Sequence, residues 1–530
     1  MIEKVLSFFL LVALINDSAC GKETDFVAAA NDAFDRKEYI ESAQLFNQAA
    51  RANISPRSNY YNAACAFSQA GRTEDAIENL MLSIDAGFSD SNQLLADPDL
   101  KLVRLDRRWN SVLTRLFEKV PSAKLLHIVT DNRVPLEEKY FSALTMIGNG
   151  MKLPERNQSP LLDHLANISN FIGEYSQARG FYARPTTALE EKIKSYTKLT
   201  PASQLILSST KQNRAVFFNE SHGNIESRLA LYSMLQDLRN QGYSMIAFEA
   251  LSTTAIGDST STVCTAPDLV DKDLLDRGYP ISKSGYYTRE PIFGNIIRKA
   301  ISLGFRVSGY DSYVPGQSVS QREQRQAENL SCLFESLASN EKLVVLAGFD
   351  HIVEKPDYWV PGGTMASRFS KLSGIDPVTV DTAELSALGY DSELVRTSHG
   401  ISDGEAYFVT TPSGQRYMTD KTDFSVIVPR RLERASGSAA GWLALGGARA
   451  PIFFSPDSCR DRFPCVLAAT SSDAESDATP IDRCVVWNSS DRGCVIYSDP
   501  SRKDVHVSAL ASDGSIIGLA FTLPMPLSIE

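Results

Sequence analysis

The sequence predicts a multidomain protein: N-terminal α-helical repeats, a central α/β domain built on a parallel sheet, and a C-terminal β-rich domain. Three observations carry this prediction. A helical pattern recurs within residues 25–119, short apolar runs alternate with helical stretches over 210–388, and brief strands separated by Gly, Ser, Asp and Pro fill 389–530. A chain of 530 residues with 43% hydrophobic and 22% charged residues is too long for one core and should divide. The net charge of -11 is modest, and no Lys/Arg block tracks a phosphate backbone, which excludes nucleic acid as a partner.

Residues 1–20 read as a secretory signal: Lys4, an apolar run from Val5 to Ile15, then small residues up to Cys20 and Gly21. The protein is therefore expected to be exported, periplasmic or lipid-anchored in a bacterial cell envelope. Acylation of Cys20 is the lipoprotein alternative, although a lipobox wants an aliphatic residue where Asp17 stands. The run falls short of the roughly 20 apolar residues of a membrane span, and no later stretch approaches that length. The mature chain is expected to lack a transmembrane span. Eight cysteines suit an oxidising compartment, and Cys459, Cys465, Cys484 and Cys494 sit close enough for two local disulfides. No CxxC pair occurs, which leaves a zinc ribbon unsupported.

In the first segment Ala33, Phe34 and Ala43 recur as Ala66, Phe67 and Ala76 at one constant step, close to the tetratricopeptide period. Each copy reads as a helical hairpin, with small residues where paired helices approach closely. The stretch around Trp109 resembles the cap that closes such arrays, with Trp109 in its core. Short arrays of this kind recruit protein partners or simply pack. Residues 120–209 read as a helical linker region carrying no assignable chemistry, with His127 and His164 as buried structural histidines.

Four apolar runs of the α/β region end in polar residues. "AVFFN" leads to Glu220 and His222, "SMIAF" to Glu249, "FRVSG" to Tyr310 and Asp311, and "KLVVLAGF" to Asp350 and His351. In a parallel sheet these tips share the edge where open α/β folds bind ligands. A lone Glu after a strand is commonly a helix cap, but four such endings together point to a site. Arg228 enters one turn into the helix after the first strand and adds a cation near that edge. Arg322 and Arg325 could do the same from "QREQRQAENL", though a solvated helix face explains them equally well.

Three chemistries suit the cluster. His222 or His351 could act as general base on water, with a carboxylate orienting it and Arg228 or backbone donors holding an oxyanion. His222, His351, Glu220 and Glu249 could instead hold a divalent metal, or an imidazole or Tyr310 could bind haem iron. No G-x-S-x-G elbow supports Ser221 as a nucleophile, "HIVEK" is not H-E-x-x-H, and no Gly-rich phosphate loop is present. His399 and His506 have no partners at a recognisable spacing.

These residues resemble the superfamily of erythromycin esterases, ChaN-like haem-binding proteins and TraB/TIKI-like metalloproteases. Its pattern is a strand ending in G-E-x-H, a second ending in Glu and a later one ending in His. Here it stands as Asn219-Glu220-Ser221-His222, Glu249 and His351. The resemblance covers about a third of the chain. It implies an α/β domain of the erythromycin esterase/ChaN type over 210–388, with Glu220, His222, Glu249 and His351 as its polar core and Arg228 in support. Esterase members imply water activated by histidine without a metal; the other branches imply a metal or haem. Asn219 departs from the family's glycine, and an asparagine can imitate glycine in a left-handed turn. The tyrosine pair in "GYYTREP", Tyr286 and Tyr287, with Arg289 and Glu290, reads as a loop beside the site and stays outside the catalytic set. The leading expectation is an exported hydrolase acting on an ester or amide bond of a small molecule or peptide. The alternative is an envelope protein that binds haem or metal and recruits a partner through its repeats.

Overall fold

The computed structural model describes residues 26–154, 160–182, 186–251, 270–311, 316–388, 392–430, 440–499 and 504–524. The signal-like segment and Cys20 lie outside them. The chain divides into two compact units, one running to Arg133 and taking in Ser142–Pro154, the other taking in Val134–Phe141 and everything from Glu155.

The first unit is helical. Helices Tyr39–Arg51, Pro56–Gln69 and Thr73–Asp85 follow one another through short turns. Ala33, Ala43, Ala66 and Ala76 are fully buried, and Phe46, Tyr61, Leu80 and Trp109 share one apolar core with the last three. His127 stacks on Phe117 in this unit, with centroids 5.4 Å apart.

In the second unit β1 (Lys198–Pro201) precedes the strands that matter for function: β2 (Ala215–Glu220), β3 (Tyr243–Phe248), β4 (Arg306–Gly309), β5 (Lys342–Gly348) and β6 (Val378–Asp381). After β7 (Tyr407–Thr410), which pairs antiparallel with β1, the short β8 (Phe424–Ser425) completes the set. A six-stranded sheet runs β4-β3-β5-β2-β6-β8 with every pair parallel. The sheet thus takes its last strand from beyond residue 388, within the region expected to be β-rich.

Nearly continuous apolar runs make strands that can be buried on both faces. Val216, Phe218, Ile246, Phe248, Val344 and Leu346 face one core, with helices Leu229–Asn240 and Pro291–Ser302. Ala215, Phe217, Met245, Ala247, Val345 and Ala347 face the other, with helices Val319–Glu335 and Met365–Ser373. Connections after β2 and β3 therefore cover one face, and those after β4 and β5 the other. Crevices open at the C-terminal edge where neighbouring strands send their chains to opposite faces, as at the β4/β3, β3/β5 and β5/β2 junctions.

The C-terminal region is rich in antiparallel strands. β9 (Ala450–Phe454) pairs with β12 (Cys494–Ser498), while β10 (Cys465–Ser471), β11 (Asp482–Val486), β13 (Asp504–Ala511) and β14 (Ile516–Pro524) form a sheet ordered β11-β10-β13-β14. Disulfides join Cys459 to Cys465 and Cys484 to Cys494, inside one small core. His506 lies on β13, and His399 is exposed. Among the described residues no helix is long and apolar enough to cross a membrane.

Candidate active site

The strand order places β5 between β2 and β3, so the endings at Glu220, Glu249 and Gly348 meet at the two crevices that flank β5. Glu220 is the last residue of β2, and its carboxylate is buried. One oxygen meets Nδ1 of His222, and the other accepts from Arg228 through Nε at 3.0 Å and Nη2 at 2.9 Å. Burial alone would push the Glu220 carboxyl upward. The charges of Arg228 and His222 outweigh it and hold the group at about 2. Glu220 is therefore a carboxylate, and it fixes the imidazole by its Nδ1 side.

The His222 ring stacks on Tyr287, with centroids 4.1 Å apart, and meets Phe349 edge-on at 4.7 Å. Its other edge lies over Gly348, where an ideal Cβ would come within 2.6 Å of Cε1 and 3.0 Å of Nε2. Only glycine leaves room for the ring there. Phe349, the next residue, has φ 44°, a conformation that costs a bulky side chain about 1–2 kcal/mol. Non-glycine residues held this way cluster at functional sites.

Arg228 is fully buried and binds a second carboxylate, Glu290, at 3.1 Å. Glu290 caps the helix that begins at Pro291, accepting from the N–H groups of Ile292 and Phe293 at 2.7 Å. Sequence reasoning offered Arg228 as a holder of an oxyanion. The structure corrects this: its guanidinium is spent on Glu220 and Glu290, behind the imidazole.

Glu249 follows β3. Its carboxylate accepts from the Gly348 N–H at 2.6 Å and from Arg322 Nη2 at 2.6 Å. Arg322 also binds Asp311, at the end of β4, at 2.6 Å. Ser318 and Gln321 form a capping box that starts the helix carrying Arg322. His351 places Nε2 3.5 Å from Glu249 and Nδ1 2.6 Å from the buried Glu323. Burial would lower the pKa of His351, but Glu249 and Glu323 outweigh it and carry it up to about 8. His351 is thus a cation at neutral pH with a carboxylate against each nitrogen, and it is poorly placed to act as a base.

A cavity of about 150 Å³ opens here, lined among others by Glu220, His222, Glu249, Tyr287, Arg322 and Gly348. His351, Arg228 and Tyr310 do not line it. Tyr310 is fully buried, in the core it shares with Phe217, Ala347 and Phe369. Ser221 faces the opposite way, into a separate cavity of about 480 Å³ shared with Asp350, Glu384 and Lys421. Arg325 lies in a third hollow beside Gln317 and Glu328.

The metal reading fits poorly. Among the described residues the ligand atoms of His222, His351, Glu220 and Glu249 do not gather within 4.8 Å; the set that does is Cys65, Asp97 and Asp99. Both imidazoles already commit Nδ1 to a carboxylate. A cavity of this size is also below the roughly 300–1,000 Å³ of most small-molecule sites.

Asn219 does not turn the chain. It lies in β2 with no positive φ, and its buried amide ties three strand ends. Nδ2 donates to Phe349 O and Asp381 Oδ1, both at 2.9 Å, while Oδ1 accepts from the N–H groups of Thr382 at 2.6 Å and Ala383 at 3.1 Å. The expected glycine mimicry is replaced by a cross-strand tie. The sequence carried no expectation for Glu323 or Gly348, left Arg322 level with a solvated helix face, and placed Tyr287 and Glu290 beside the site but outside the catalytic set. The available signals were Arg322 and Glu323 following closely on a capping box, and Glu290 preceding Pro291. His164 supports the tyrosine pair, with Nδ1 3.1 Å from Tyr286 Oη.

No protein-family profile and no curated protein matches the chain. Similar solved structures include two described as bacterial protein toxins. They are 12% and 11% identical, over 69% and 71% of this chain and 94% and 98% of theirs, with TM-scores of 0.27 and 0.28. A third is RRSP, a MARTX toxin effector domain from Vibrio vulnificus, 13% identical over 69% of this chain and 85% of that one, with a TM-score of 0.26. These likenesses are too slight to assign a fold or an activity.

Proposed function

We propose that the protein is an exported hydrolase in which His222 takes a proton from water attacking an ester or amide carbonyl. The observation that carries this reading is the Arg228–Glu220–His222 series. A buried arginine keeps Glu220 ionised, Glu220 fixes Nδ1, and the imidazole lines a small cavity. This is the logic of a base held by an orienting carboxylate. His222 keeps 23% of its side chain exposed against 11% for His351, and it has one carboxylate partner rather than two. Of the two imidazoles it is the better base.

Arg322 lines the same cavity and is bound there by Glu249 and Asp311, so it brings positive charge to the site. Glu249, gripped by Arg322 and the Gly348 N–H, holds that cation and the β5 tip in place. We further propose that the α/β region belongs with the erythromycin esterase/ChaN-like group. The helical unit is proposed as a pair of tetratricopeptide-like hairpins that recruit a protein partner. The buried alanines at the repeating positions support this second reading.

Screening the purified full chain against 4-nitrophenyl esters and fluorogenic peptides, alongside elemental analysis and an absorption spectrum, tests the proposal. Turnover by colourless, metal-free protein is expected. A Soret band or stoichiometric metal with no turnover would reject it.

A further inference from the structure

Glu323 follows Arg322 near the start of helix Val319–Glu335 and has no solvent exposure. It has no part in the water activation described above. A fully buried carboxylate is costly unless its charge is met. Here Oε2 accepts from the Met365 N–H at 2.6 Å, and Oε1 lies 2.6 Å from Nδ1 of His351. One oxygen thus serves a free N–H at the start of the helix that begins at Met365, where Thr364 separately caps the Ser367 N–H. What Glu323 adds beyond this is its hold on His351.

His351 in turn places Nε2 3.5 Å from Glu249, the carboxylate that accepts from Arg322 and from the Gly348 N–H. Consecutive residues of one helix therefore reach the same carboxylate, Arg322 directly and Glu323 through an imidazole. We propose that Glu323 is a positioning residue, holding His351 as the bridge that fixes the Glu249 carboxylate at the tip of β5 beside the cavity faced by His222. No proton is transferred in this role. Without Glu323 the His351 ring loses its partner at Nδ1 and is free to turn, and Glu249 loses the second contact at Oε1, the oxygen that also accepts from Arg322. Only the catalytic consequence rests on the hydrolase reading; the positioning itself does not.

The test is proton NMR of the unliganded full chain with labelled histidine, where six histidines keep the spectrum assignable. A strongly deshielded Nδ1 proton is expected for His351, assigned by its loss in His351→Phe. In Glu323→Gln it should vanish while the equivalent signal of His222 persists. With 4-nitrophenyl acetate, kcat of Glu323→Gln should fall at least about tenfold, equivalent to about 1.4 kcal/mol, with KM little changed. Should Glu323→Gln not fold, the wild-type spectrum decides, since absence of the His351 signal overturns the proposal. Persistence of that signal in Glu323→Gln, or its loss without any change in kcat, overturns it as well. A signal lost in Glu323→Gln from a protein that hydrolyses nothing upholds the positioning and rejects the hydrolase.

Discussion

An ideal Cβ on Gly348 would lie 2.6 Å from Cε1 of His222, closer than any side-chain carbon can sit. The imidazole that faces the cavity is therefore seated against bare backbone at the tip of the neighbouring strand. Gly348→Ala is expected to push the ring off Glu220 and lower kcat at least about tenfold, with about 1–3 kcal/mol of lost stability. Kinetics and urea denaturation of the same preparation check both halves. An alanine variant with unaltered kcat would show that the ring has room to spare.

Arg228 is the residue on which the polar core depends for stability. Removing it leaves Glu220 and Glu290 buried without their shared cation, and Arg228→Ala should cost about 3–5 kcal/mol. The midpoint of urea denaturation reads this directly. A loss below about 1 kcal/mol would mean that the two carboxylates find other partners or take up protons at little cost.

Asn219→Gly restores the residue that the esterase-like pattern carries, yet it should weaken this protein. The amide makes five bonds across three strand ends, and their loss is worth about 3 kcal/mol. Denaturation of the glycine variant checks the sign, since a stabilised variant would restore Asn219 to the role of a glycine substitute.

His351 gives a pH dependence of known sign. Its folded pKa of about 8 lies above the ordinary histidine value of about 6.5. Its contribution is fully present below pH ~6.5 and is lost as pH rises through about 8. Wild type should therefore lose about 2 kcal/mol more stability across that window than His351→Gln does. Parallel stability curves for the two proteins would contradict the pairing with Glu249 and Glu323.

The parallel sheet was legible because strands buried on both faces must be written as continuous apolar runs, as "AVFF" and "KLVVLAG" are. The polar endings of those runs named Glu220, His222, Glu249 and His351. Strand order was not legible, since nothing in β5 says that it will insert between β2 and β3. For that reason the sequence could not show Gly348 under His222, or Arg322 and Glu323 converging on Glu249 from another segment. Arg228 was recognised as a nearby cation but misassigned, because facing an oxyanion or lying behind Glu220 depends on burial, which spacing does not report. Asn219 was misread for a related reason: its bonding partners lie more than 100 residues away on β5 and β6.

The account turns on His222 as the base held by Glu220. Its most direct test is kcat/KM for wild type and His222→Ala on whichever ester or peptide the wild type turns over, with folding checked by circular dichroism. A fall of about 10²–10⁴-fold in a folded variant is the predicted result, and an unchanged rate would contradict the account.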